Sequence, residues 1–207
     1  MWLSYHITAS AVNPFEYLLP FLSVLVGLAV TDLATSLHRL LRARRRVTWD
    51  WLPLATALLA LGAVLNAWWS FYQQDTAAAW TMAEFFPLVV ALLILFLINA
   101  AALPDDVPAE GIDLREFYES NSPYFWSLFA VYIISNILLN VSGRLERAVQ
   151  GVDAFVEVLI FSLPNIGAVG LFLSLAYFRN RVFHTIAVIS VLVLLAFLWS
   201  QQRIGAL

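Results

Sequence analysis

The sequence predicts an all-α polytopic transmembrane bundle of six spans, with N-terminus and C-terminus both outside, and three observations predict it. Apolar residues are gathered into runs of about 20, the length that crosses a roughly 30 Å hydrocarbon core as a helix. Apolar residues make up 62% of the 207-residue chain and charged residues 12%, against about 25% charged in an ordinary soluble domain. If the runs cross in alternation, Arg39, Arg42, Arg44, Arg45, Arg46, Arg115, Arg179 and Arg181 share one side, and Arg144, Arg147 and Arg203 take the other. By the positive-inside rule the richer side faces the cytoplasm.

The elements follow in chain order. The first 14 residues lack a basic region, so the first run is read as a retained span over 15–41 rather than a cleaved leader. It ends in the basic exit Arg42, Arg44, Arg45 and Arg46, assigned to lipid headgroups and topology. Spans two and three cover 51–72 and 80–103, joined by a short connection around QQDTAAA. An acidic segment, 104–122, follows, read as a solvated linker with a short amphipathic turn at Leu114, Phe117 and Tyr118. Spans four, five and six cover 123–141, 154–178 and 182–200. The short connection around Arg179–Arg181 predicts that spans five and six are antiparallel neighbours. Trp49, Trp51, Trp68, Trp69, Trp80, Tyr124, Phe125, Trp126 and Trp199 sit near span ends and are read as interfacial anchors.

Polar residues inside apolar runs are the candidates for function, because an intramembrane charge is costly unless paired, hydrated or protonated. Asp32 is the sharpest. Ser36 and Arg39 share its helical face, which predicts either an Asp32–Arg39 bridge or an inner ion gate. Asn66, Asn99, Asn136, Asn140 and Asn165 add neutral polarity that could line a path or tie helices together. Spans one, three and five each pair an acid with a proline: Glu16 with Pro20, Glu84 with Pro87, Glu157 with Pro164. Glu16 and Glu84 form a candidate outer acidic group. In span five, Pro164 with Gly167 and Gly170 predicts a bend packed on small residues, or a broken helix exposing carbonyls beside Glu157 and Asn165.

Several chemistries are excluded by residue types. The chain has no cysteine and no lysine, which removes disulfides, thiolate ligands and Schiff-base lysines. His6, His38 and His184 are far apart and form no metal-binding motif, and no Gly-x-Ser-x-Gly elbow occurs. No cofactor, no metal and no catalytic set are expected. The basic run 42–46 directly follows a span, so anionic lipid is expected there and nucleic acid is not.

The stretch Pro20 to Arg46, Trp68-Trp69, Pro104-Asp105, Asp113-Leu114-Arg115 and Phe117-Tyr118 resembles a group of small uncharacterised bacterial inner-membrane proteins. The resemblance implies a six-span protein of the bacterial inner membrane and carries no site residue. Two functions are expected. One is passage of a small ion or proton through a polar interior. The other is a non-catalytic membrane scaffold, lipid-binding protein or complex subunit. Expected partners are membrane lipids, a second copy, or another membrane protein.

Overall fold

A computed structural model describes residues 14–72, 82–148 and 152–201. Among the described residues, six helices are long and apolar enough to cross a membrane: α1 (Pro14–Arg42), α2 (Trp51–Tyr72), α3 (Met82–Ala102), α4 (Leu114–Ala148), α5 (Val152–Tyr177) and α6 (Arg181–Gln201). The fold is thus the all-α membrane bundle expected. The connection 73–81 lies outside the described residues.

Helical periodicity builds the core. Leu22, Ala29, Leu33, Ser36 and Leu40 are buried along one face of α1, a spacing of threes, fours and sevens. Leu52, Thr56, Leu59, Ala60, Val64 and Ala67 do the same on α2. Leu88, Leu92, Leu95, Asn99 and Ala102 do so on α3. Alanine in these stripes lets helix backbones approach, which matters where lipid supplies no hydrophobic drive between helices. On α4 burial stops at Ala130, and on α6 the buried residues are His184, Ala187 and Val188. The tight part of α4, α5 and α6 therefore lies at the end that carries Arg39 to Arg46, Arg115, Arg179 and Arg181.

That arginine end is tied together by backbone. Val47–Thr48 (β1) pairs in parallel with Ile112–Asp113 (β2), Val47 opposite Ile112 and Thr48 opposite Asp113. The first and third connections are thereby fused. Gly111 makes the turn into β2 with φ of 99°, a conformation that side chains resist. A Cβ there would also stand 2.6 Å from the Arg46 carbonyl oxygen.

Four expectations are corrected. Span four does not begin at 123: α4 starts at Leu114 and absorbs the amphipathic turn into one 35-residue helix, about 52 Å long. The reason is a cap. Asp113 Oδ1 accepts from the amides of Arg115 (2.7 Å) and Glu116 (3.3 Å), so the helix nucleates nine residues before Pro123 and continues through it. Second, α5 does not break at Pro164, and Gly167 and Gly170 have no atom within 4 Å of a built Cβ. No unwound carbonyl site forms there, and Ala168 between the two glycines packs partly buried against the core. Third, α6 rests against α2 more than against its chain neighbour α5. Gly62 receives Leu195 at the crossing. Fourth, Trp126 is no interfacial anchor: it is fully buried and stacks on Phe172 at 5.5 Å.

Candidate functional site

The polar residues that converge lie at the arginine end, where α2, α4 and α6 begin. Each of these helices is capped by a side chain two or three residues before the amides it accepts from. Asp50 Oδ1 accepts from Leu52 N, Asp113 serves α4, and Asn180 Oδ1 accepts from Val182 N (2.9 Å) and Phe183 N (3.3 Å). Asp50 also pairs through Oδ2 with Arg181 Nη2. One carboxylate therefore caps α2 and holds the start of α6 beside it, which accounts for α6 lying on α2.

Inside this collar runs a hydrogen-bonded chain of three side chains. Tyr118 and Trp126 stand two turns apart on α4, and His184 is one turn into α6. Trp126 Nε1 lies 3.1 Å from Tyr118 Oη, Tyr118 Oη 2.7 Å from His184 Nδ1, and His184 Nε2 2.7 Å from the Phe178 carbonyl oxygen. Proton placement follows from donor and acceptor types. A carbonyl oxygen only accepts, so His184 carries its proton on Nε2. Nδ1 then accepts from the Tyr118 hydroxyl, whose oxygen accepts from the indole N–H. Each of these donors then has an acceptor within the chain. Trp126 is 0%, His184 3% and Tyr118 6% exposed, so the chain is a dry internal clamp between α4, α6 and the end of α5.

An open recess lies against this clamp, lined by Tyr118, Glu119, Ser122, Arg179, Arg181 and His184. The space it outlines, open mouth included, is ≈ 270 Å³, and little of it is enclosed. Glu119 is held by Arg115 at 2.9 Å and Arg181 by Asp50.

The residues singled out from sequence do not gather into one site. Asp32 is half-buried on α1, and its Oδ2 is buried without a partner among the described residues. Ser36 is buried one turn on. Arg39 does not bridge to Asp32: its guanidinium donates to the Asp105 carbonyl and lies 3.7 Å from Asp106. The 104–110 loop brings the exposed Asp105 and Asp106 to the end of α1, and it captures the arginine. Arg46 likewise donates to the Pro108 (3.3 Å) and Ala109 (3.5 Å) carbonyls, whereas Arg42, Arg44 and Arg45 are exposed. Asn99 is 1% exposed and donates to Leu95 O at 2.9 Å on its own helix and to Ala60 O at 3.5 Å on α2. Asn136 donates to Tyr132 O and Asn140 to Asn136 O. Asn66 and Asn165 are half-buried on α2 and α5. The side chains of Glu16, Glu84 and Glu157 lie outside the described residues.

Sequence reasoning passed over Tyr118, Trp126, His184 and the Asp50–Arg181 pair. A signal existed for the first two. Leu114, Tyr118, Ser122 and Trp126 recur every four residues, one helical face that mixes bulk with hydrogen-bonding heads. The pairing with His184 joins residues 66 apart and leaves no local mark.

No protein-family model, curated protein or solved structure matches the chain.

Proposed function

We propose that this chain is a non-catalytic scaffold of the bacterial inner membrane, with its arginine end in the cytoplasm and its lipid-facing helices available to other membrane components. One observation carries the reading. Away from the Trp126–Tyr118–His184 clamp, Asn99, Asn136, Asn140, Ser135 and Ser174 direct their donors to backbone oxygens of their own or an adjoining helix, although Asn99 Oδ1 is buried without a partner among the described residues. Conduction needs polar groups facing one another in a continuous line across the membrane. Closed local bonds of this kind stiffen helices without forming a path. The wide apolar faces agree: Ile160, Leu163 and Ile166 on α5 and Val193 and Phe197 on α6 are all exposed.

Ion or proton passage is the second reading, and Asp32 favours it. Its buried, unpartnered carboxylate oxygen lies seven residues before Arg39, about 10 Å down the helix from the charged end. Proteoliposomes with an internal pH dye separate the two. The scaffold reading expects proton flux equal to protein-free vesicles under an imposed potential. Flux clearly above that baseline, lost in Asp32→Asn, would replace it with the transport reading.

A further inference from the structure

We propose that the recess between α4 and the start of α6 holds the phosphate group of an anionic membrane lipid. The inference goes beyond the scaffold reading and does not depend on it, because a transporter could carry the same site.

Three independent features point to a small anion. The first is charge. Among the lining groups Glu119 is already neutralised by Arg115, and the carboxylate that holds Arg181 lies outside the lining, on Asp50. Arg179 lines the recess, is exposed, and has no acidic partner among the described residues. It is the free positive charge of the recess. The second is unused hydrogen bonding. Ser122 is 4% exposed and lines the recess with no hydrogen-bond partner among the described residues. Arg181 Nη1 is buried and likewise without a partner among them, although Nη2 of the same guanidinium is engaged by Asp50. An arginine whose fork is half used is suited to a second planar or tetrahedral oxyanion. The third is selectivity by exclusion. The protons of Tyr118 and His184 are committed within the clamp, so these two form a fixed wall and do not compete for the ligand.

Position identifies the source of the phosphate. The recess opens where α4 and α6 enter the apolar layer: Tyr118 and Ser122 lie in the first turns of one span, and Arg181 begins the other. Basic pockets between helices at this level meet lipid headgroups. The recess is shallow and open at its mouth, so a phosphate would meet Arg179 at the mouth while its glycerol and acyl chains lie along the exposed faces of Val182 and Ile186.

The test uses the full chain in a neutral detergent, with bound lipid counted by native mass spectrometry. Phosphatidylglycerol, phosphatidylcholine and inorganic phosphate are the three probes. Phosphatidylglycerol is expected to be retained over phosphatidylcholine by about fivefold or more, the weight of one arginine contact at a surface. Arg179→Gln should abolish that preference and Arg179→Lys should keep part of it. Arg203→Gln, two residues past the end of α6 in the sequence, should leave it unchanged. Arg179 is exposed and outside the helices, so these variants leave the fold intact. The proposal is overturned by equal retention of the two lipids, by Arg203→Gln costing as much as Arg179→Gln, or by millimolar inorganic phosphate displacing the lipid as readily as excess phosphatidylglycerol does. The last result would assign the recess to free phosphate.

Discussion

Two kinds of polar contact coexist within the spans, and their energetic weights differ. The Trp126–Tyr118–His184 clamp joins two helices far apart in sequence, and each group depends on the next for its partner. Asn136 and Asn140 bond to carbonyls that already accept from the helix ladder. Removing a linking group strands its neighbours, and each stranded buried donor or acceptor costs about 1–3 kcal/mol. Removing a redundant one strands nothing. Tyr118→Phe leaves the Trp126 N–H and His184 Nδ1 without partners, so it should destabilise the protein by about 2–4 kcal/mol. Asn140→Ala should stay within about 0.5 kcal/mol of the parent. Tryptophan fluorescence during denaturant titration in mixed micelles reads both. Equal effects would mean that the clamp closes through other atoms and that its geometry is not what holds α4 to α6.

Elements explain where sequence reading succeeds and where it stops. The six spans were readable because hydrophobic run length is a local property, and the grouping of the arginine-rich connections at one end followed from alternation alone. The extent of α4 was misjudged because two local signals compete there. Pro123 and the acids of 104–122 argue for a linker, and the Asp113 cap with Glu116 in the first turn argues for a helix. The cap prevails because β2 delivers Asp113 at a fixed angle, and β2 exists through its pairing with Val47–Thr48. That pairing is long-range and invisible in the linear pattern. Gly111 is its hinge. Gly111→Ala meets the Arg46 carbonyl at 2.6 Å in a positive-φ conformation, a strain of order 1–3 kcal/mol. The expected outcome is a loosened first connection, cleaved by trypsin at Arg44–Arg46 several-fold faster than the parent. Gly27→Ala, where a Cβ meets nothing within 4 Å, should digest at the parental rate. Identical digestion of the two variants would show that the short sheet does not restrain this connection.

At the scale of the whole molecule, the candidate residues chosen from sequence were scattered because they were chosen for being polar inside apolar runs. The structure instead concentrates polar contacts where the runs end. Arg39 and Arg46 illustrate the difference: both were assigned to an acid in the span or to lipid, and both are used by the 104–110 loop. Little of the fifth and sixth spans is buried, 12% and 17%, and α5 is held in the bundle by its long pairing with α4. Orientation is a question with a sharp test. The positive-inside rule places Arg39 to Arg46, Arg115, Arg179 and Arg181 in the cytoplasm, and six crossings then return the end of α6 to the outside. The chain has no native cysteine, so single cysteines report position without background. Arg45→Cys and Gln201→Cys both fall on exposed residues at opposite ends of the bundle. A membrane-impermeant maleimide applied to intact bacterial spheroplasts should label the Gln201→Cys protein directly and the Arg45→Cys protein after lysis alone. The reverse pattern would invert the bundle, and with it move the phosphate recess to the outer leaflet. Labelling of both in intact spheroplasts would mean that the number of crossings is odd.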